Sequence, residues 1–380
     1  MASTDKQPRN DRGGRGEAPN IRGQAGPGLL VSAFDYALPR ELVAQYPPQR
    51  RDESRLLVLD RLASSIQHKR FPDLLELLHP GDVLVLNETK VLPARLLGQR
   101  ADTGGKAEVL LIREKKPGVW LAAIFGKGNL QRGVVITFRD GRWSGELVKS
   151  RGEGVWVLAF RGPEATPEET MDALLQSEGK MPLPPYIRRP VEHFDEQRYQ
   201  TVYARLPGAI AAPTAGLHFT ERILSELGRK GVRIAKLVLH VGRGTFLPVR
   251  SEAIAEHRME AESFEIPKET MAEVVLAKKE KRRVVAVGTT VVRALETVWG
   301  SHDGKPDSAN ELTGWTEKFI YPGYEFMAVD ALVTNFHLPK TTLLLLVSAF
   351  AGRELILKAY QEAIEQKYRF YSYGDAMLIH

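Results

Sequence analysis

The 380-residue chain contains no cysteine. That absence excludes disulfides, thiolate zinc sites, thiol nucleophiles and cysteine-bound iron–sulfur clusters, with the radical chemistry that such clusters support. Long apolar runs are missing too. The run Leu343–Val347 falls far short of the roughly 20 residues a membrane helix needs. The start, MASTDKQPRNDRGGRGEAPN, lacks the apolar core of a signal peptide. A cytoplasmic protein that meets no membrane is therefore expected. Charge of one sign is scarce as well: 53 Lys+Arg against 47 Asp+Glu leave +6. Part of that excess sits in the first 28 residues, where Lys6, Arg9, Arg12, Arg15 and Arg22 outnumber Asp5, Asp11 and Glu17. Such a balance permits a polyanionic partner without demanding one, because clustering on one face matters more than the total.

What is present, 43% hydrophobic and 26% charged residues, is ordinary globular material long enough for two or three domains. Residues 1–28 are rich in Gly, Arg, Pro and Asn and cannot bury enough surface to offset their ordering entropy. They read as a disordered tail, either a solvated extension or an electrostatic arm for nucleic acid. Ordered sequence is expected from Leu29. The runs LLVLD and DVLVLN read as buried strands, with a short helix in PDLLELLH between them, stopped by Pro80-Gly81. Between residues 92 and 160 the character changes to about six short alternating segments separated by turns such as Lys116-Pro117-Gly118 and Asp140-Gly141. Strands without helices close most economically into a small barrel, which leaves no open edge.

The remainder alternates strand and helix. A helix over 220–230 with Thr220 as cap precedes a strand over 234–241. A helix over 268–281 precedes VVAVG, a helix over 291–299 follows, then strands near 316–321 and 329–335 and helices from 343 to about 367. The expected fold is a larger α/β domain, barrel-like or layered, formed by 29–91 and 161–380, with the barrel of 92–160 inserted. Its site should lie at the carboxyl ends of the strands.

Polar loops fall where strand patterns stop. Asn87-Glu88-Thr89 follows DVLVLN, with Arg95 further on; a solvated polar strand end is the plain alternative. Residues 199–220 hold Tyr199, Gln200 and Thr201, then Pro213-Thr214-Ala215-Gly216 and His218 before a helix start, small residues that let a ligand approach the backbone. His240, Gly242, Gly244 and Thr245 end another strand, but a third glycine falls at Leu247, so the dinucleotide fingerprint fails. His240 is open to two readings, a core histidine or a catalytic one. Gly288-Thr289-Thr290 with Arg293 resembles an anion cradle, or an ordinary helix cap. Asn335, Phe336 and His337 close a further strand. The tail YRFYSYGDAM, with Arg369, Tyr371 and Asp375, reads either as base-stacking aromatics or as an alternating strand.

In this order, the stretches FDYALPRELVAQYP, SRLLVLD, GDVLVLNETKVLPARL, MPLPPYIRR, RYQTVYA, APTAGLHFT, LHVGRGTF, AVGTTVVRALE, TNFHLP and YRFYSYGDAMLI closely resemble the S-adenosylmethionine:tRNA ribosyltransferase-isomerase family of queuosine biosynthesis. The resemblance implies a tRNA substrate with a G-U-N anticodon carrying 7-aminomethyl-7-deazaguanine at the wobble position. The ribosyl part of S-adenosylmethionine, a co-substrate, would be transferred and isomerised to give epoxyqueuosine with loss of adenine and methionine. No permanently bound cofactor and no metal are implied, and a monomer is expected. Where the family usually has Asn-Asp-Thr this chain has Asn87-Glu88-Thr89, and Glu260 stands where the family often has histidine. The implied chemistry needs a base, and without cysteine or metal it falls to His, Asp, Glu, Tyr or Lys, or to the substrate amine. His218 and Glu88 rank first, then His240, with Asp35, Asp375 and His337 also in matching stretches. Gly288-Thr289-Thr290 and Arg293 are expected to grip the methionine carboxylate or an RNA phosphate.

Overall fold

The computed structural model describes residues 29–242, 249, 251–301, 304, 306 and 310–380. The expectation of a disordered tail over 1–28 lies outside the described residues. After three short 3-10 turns come β1 (Arg55–Asp60), β2 (Ser65–Arg70), helix α1 (Leu74–Leu77), β3 (Val83–Asn87) and β4 (Thr89–Val91). Six strands follow: β5 (Arg95–Arg100), β6 (Lys106–Lys116), β7 (Val119–Gly126), β8 (Val135–Phe138), β9 (Trp143–Gly152) and β10 (Val155–Arg161). Helices α2 (Pro167–Glu178) and α3 (Asp195–Arg198) lead to β11 (Leu206–Ala209), a 3-10 turn at Thr214–His218, α4 (Glu221–Arg229) and β12 (Arg233–Leu239). The chain ends with β13 (Glu262–Ile266), α5 (Lys268–Lys279), β14 (Val284–Val287), α6 (Thr289–Ser301), β15 (Leu312–Thr316), β16 (Ala331–Asn335), α7 (Thr342–Ala351), α8 (Arg353–Glu365) and β17 (Ala376–Ile379).

The larger domain is layered. Nine strands run in the order β15-β13-β12-β3-β14-β16-β17-β1-β2, with β12, β3, β14 and β16 mutually parallel. Central strands alternate between two cores. Val83, Val85, Val284 and Ala286 face one side with helices α5 to α8, while Leu84, Leu86, Val285 and Val287 face the other with α1 and α4. Both faces are covered, which is why these strands read as unbroken apolar runs. Val83, Leu84, Val85 and Leu86 expose nothing, and each contributes about 1.5–3 kcal/mol of burial. Among the described residues no helix is long and apolar enough to cross a membrane.

The six strands between Arg95 and Arg161 form a closed antiparallel barrel, β10-β7-β6-β5-β8-β9. Its interior is filled by Leu96, Val109, Leu111, Ile136, Phe138, Trp143, Leu147 and Leu158, and α2 covers it through Met171 and Leu174. Helix α2 starts with a full capping box, Thr166 accepting from the Glu169 N–H and Glu169 accepting from the Thr166 N–H, with Pro167 in its first turn.

One strand expectation is displaced. The strand lies at Leu312–Thr316 rather than near 316–321, because the next backbone groups go to side chains: the Lys318 N–H donates to Thr316 Oγ1 and its carbonyl accepts from Arg293 Nε. The chain therefore leaves the sheet despite the apolar residues Phe319, Ile320 and Tyr321.

Closure of the barrel depends on Gly98. A Cβ there would lie 2.6 Å from the Thr137 carbonyl oxygen and 2.8 Å from Ile136 Cγ2 and Phe138 Cε1, where β5 meets β8 by only a short register. Gly98→Val is expected to cost about 1–3 kcal/mol through overpacking. Denaturant unfolding measures it, and an unchanged midpoint would mean that the β5–β8 seam yields freely.

Candidate active site

The parallel strands bring their carboxyl ends to one edge. Asn87 closes β3, His240 follows β12, Gly288 follows β14 and Asn335 closes β16. Strand β17 runs antiparallel to β16 and β1 runs parallel to β17, so Asp375 and Ser54, at the starts of β17 and β1, reach the same edge.

Asn87 is fully buried. Its Oδ1 accepts from the N–H groups of Thr89 and Leu239, and its Nδ2 donates to the Leu239 carbonyl and to Thr290 Oγ1. Thr89 is thereby placed with Oγ1 2.7 Å from His240 Nδ1. The His240 ring lies flat against Gly208, where a Cβ would come within 2.6–2.7 Å of three ring atoms; the alpha carbon must be bare for the imidazole to sit there. Burial holds the His240 pKa below the ordinary histidine value.

His240 lies on the wall of a cleft of about 1300 Å³ between the barrel and this edge. The barrel side supplies Arg113, Glu114, Trp120 and Arg151, α2 supplies Glu168 and Asp172, and the sheet side supplies Gly242, Glu260, Glu262, Trp315 and Glu317. The lining is rich in carboxylates. Trp120 Nε1 is buried without a hydrogen-bond partner, a donor whose burial is costly unless something meets it. Glu262 anchors the start of the 242 loop, accepting from the Gly242 N–H at 2.8 Å, and forms a buried ion pair with Arg293. The Arg293 guanidinium also donates to the Lys318 carbonyl, which leaves Nη2 buried and unpartnered.

A second cluster lies around the Thr214–His218 turn. His218 is 3% exposed, with Nδ1 2.8 Å from Ser54 Oγ and Nε2 3.0 Å from Asn335 Nδ2. That amide nitrogen also lies 3.1 and 3.4 Å from the carbonyls of Tyr371 and Asp375, a setting in which it shares its two hydrogens as donor, so His218 Nε2 is assigned as acceptor and Nδ1 as donor to Ser54. Burial lowers the His218 pKa to about 3, with the charges of Arg369 and Arg51 adding to the effect. His337, with Nε2 2.9 Å from Thr334 Oγ1, is likewise pushed down to about 3 by burial. Thr214, Asn335, Phe336, His337 and Tyr371 border a small hollow of about 30 Å³, and Asn335 Oδ1 is buried there without a partner.

The other expected residues are dispersed. Glu88 Oε1 accepts from Arg205, and Oε2 lies 3.5 Å from Lys236 Nζ without a hydrogen bond. Arg95 pairs with Glu108 on the barrel. Asp35 is half exposed and paired with Lys340. Gln200 pairs with both backbone groups of Val91, and Tyr199 and Thr201 are buried with their hydroxyls unpartnered. Pro213 precedes the turn, Ala215 packs toward Gly288, and Gly216 lies under the Tyr203 hydroxyl. Thr289 is buried at the start of α6. Phe336 is core. Arg369 donates to the carbonyls of Tyr46 and Tyr373, and Asp375 accepts from Arg55 and from the Arg369 N–H. Gly244 and Thr245 lie outside the described residues.

Trp120, Glu168, Asp172 and Trp315 line the cleft but carry no motif. Ser54, 164 residues from His218, opens the matching stretch SRLLVLD, but nothing in that stretch shows its contact with the histidine.

Fold and site define an α/β protein with an inserted barrel, whose large cleft opens between that barrel and the carboxyl edge of its sheet. The family model described as "Queuosine biosynthesis protein" matches residues 31–379. The chain is similar to the crystal structure of S-adenosylmethionine tRNA ribosyltransferase from Thermotoga maritima, at 36% identity over 92% of this chain and 100% of that one, with a TM-score of 0.51. This chain belongs to the queuosine biosynthesis family.

The buried histidines set a pH dependence. A group whose pKa is depressed on folding takes up protons in the unfolded chain first, so stability is lost as pH falls from about 6.5 toward about 3 for His218 and His337. Between pH 7 and pH 5 each should cost about 2 kcal/mol. Urea unfolding at the two pH values reads this directly, and His337→Gln should flatten the dependence. A variant as pH-sensitive as the parent would show that His337 is protonated in the fold.

Proposed function

We propose that this chain is a transferase that moves the ribosyl part of S-adenosylmethionine onto 7-aminomethyl-7-deazaguanine at the tRNA wobble position and isomerises it, giving epoxyqueuosine with release of adenine and methionine. The observation that carries the reading is the cleft between barrel and sheet edge, in a chain that matches the queuosine family over 31–379. Its volume of about 1300 Å³ exceeds the roughly 300–1,000 Å³ of single-ligand pockets, as a site for a donor and an extruded nucleoside requires. Carboxylates at Glu168, Asp172 and Glu317 on its walls suit a sulfonium cation. These features fit S-adenosylmethionine as co-substrate.

His240 is the base in this reading. Nδ1 is hydrogen-bonded to the Thr89 hydroxyl; in the tautomer in which Nδ1–H donates, the Nε2 lone pair is left for the cleft, and the lowered pKa keeps the ring neutral near pH 7. His218 has its lone pair engaged by Asn335, and Glu88 is held by Arg205 and Lys236 away from the cleft lining. These two, ranked ahead of His240 on sequence, become positioning residues. Arg293, neutralised by Glu262, holds Gly242 in place through that carboxylate.

Incubating the protein with the donor and wobble-modified tRNA should release free adenine and methionine. S-adenosylhomocysteine instead would mark a methyltransferase, and an intact donor a binding protein. His240→Gln should lower kcat about 100-fold or more with donor KM nearly unchanged. Near-normal adenine release from that variant would move the base elsewhere.

A further inference from the structure

The acidic cleft is a poor place for phosphates, so an RNA backbone must be held elsewhere. Around the segment Gln45–Arg51 stands a ring of arginines. Arg369 donates to the Tyr46 carbonyl at 3.3 Å, Arg198 to those of Pro48 and Gln49 at 2.7 and 3.0 Å, and Arg51 to those of Gln197 and Leu217 at 2.7 and 3.2 Å. The backbone N–H of Arg188 donates to Gln45 Oε1, and its side chain is exposed.

The neighbouring carboxylates are already committed. Asp195 takes Arg189 in a two-pronged pair, Asp52 takes Arg50 and Arg222, Asp375 takes Arg55, Glu53 lies against Arg50, and Glu192 accepts from the Tyr46 hydroxyl with Arg189 at 3.7 Å. The guanidinium hydrogen bonds of Arg51, Arg198 and Arg369 go to backbone carbonyls, with Glu53 and Asp375 acting on Arg198 and Arg369 only through space. Burial, with the Arg198 charge adding to it, lowers the Arg51 pKa to about 10. Arg198 Nε is buried with no partner. Tyr46, 51% exposed, lies with the Arg189 guanidinium 4.4 Å above its ring centre.

We propose that Arg51, Arg188, Arg198 and Arg369, with Tyr46, form the face that takes the sugar–phosphate backbone of the tRNA anticodon arm. A phosphate completes the half-satisfied guanidinium forks, and an exposed ring among arginines stacks an unpaired base. Arg51 ties this face to the Leu217 carbonyl, next to His218, so RNA held here lies against the sheet edge. The inference rests on tRNA being the substrate.

The test uses the full chain, a tRNA transcript and equilibrium binding over a range of KCl concentrations, with Arg188→Glu and Arg198→Ala as variants. Log affinity against log salt should become shallower by about 1 for each phosphate that a variant no longer neutralises, with the melting temperature of Arg188→Glu unchanged. Wild-type slopes in both variants, or no tRNA binding by the wild type, would overturn the proposal. Binding needs no turnover, so wild-type protein that binds tRNA through this face yet releases no adenine would sink the reaction assignment alone.

Discussion

Asn87 ends β3 out of reach of solvent, and both halves of its amide are committed: two backbone N–H groups into Oδ1, a carbonyl and a hydroxyl out of Nδ2. Those bonds join the end of β3 to the end of β12, to the first turn of α6 and to the turn into β4. The requirement is for donor and acceptor together. An aspartate would accept but could not donate, leaving the Leu239 carbonyl facing a buried charge; leucine would strand two N–H groups. From this amide the geometry propagates outward: Thr89 is set, Thr89 meets His240, and His240 is pressed onto Gly208. The next residue works on the opposite face. Glu88 extends to Arg205 and to within 3.5 Å of Lys236, which places its carboxylate inside an ion-pair network.

Charge is divided between two faces of the larger domain. The total of +6 conceals a cleft rich in Glu and Asp and a ring of arginines around Gln45–Arg51 whose local carboxylates are already paired. In the proposed reading the cleft takes a sulfonium and the arginine ring a phosphate backbone; these have opposite needs, and one mixed surface would serve both badly. Separation lets each site act at full strength within a Debye length of about 8–10 Å.

Much of the fold was legible because its determinants are local. DVLVLN and VVAVG announced strands buried on both faces, and Thr220 caps α4 as its position before the helix implies, its side chain accepting from the Ile223 N–H. Six turn-separated segments without helical period corresponded to the barrel. The segment Glu317–Tyr321 misled, because nothing in its apolar pattern shows that Arg293 takes the Lys318 carbonyl. The tail had two readings, stacking aromatics or an alternating strand; Tyr368, Phe370 and Tyr371 are packed into the core, but through turn rather than strand, with Tyr371 at a φ of 71° and the strand beginning only at Ala376. The cleft was the least legible part. Its walls come from strands β6, β7, β13 and β15 and from α2, and residues such as Glu168 or Trp315 become neighbours only when the barrel stands against the sheet.

Burial separates the histidines that the sequence left side by side. His218 and His337 sit in matching loops and look equally suited to proton transfer, yet closure around them removes water, fills both nitrogens of His218 with Ser54 and Asn335, and ties Nε2 of His337 to Thr334. Protonating an imidazole so enclosed incurs nearly the whole desolvation penalty, which drives its pKa far below the pH at which it could accept a proton usefully. Such a ring is a rigid spacer with one donor and one acceptor. His240 differs in a single respect: one edge is tied to Thr89 and the ring borders the cleft, so burial depresses its pKa while leaving a ligand able to reach it. Partial burial with one fixed nitrogen is the compromise that proton transfer asks for, since full exposure would leave the ring disordered and full enclosure would leave it inert.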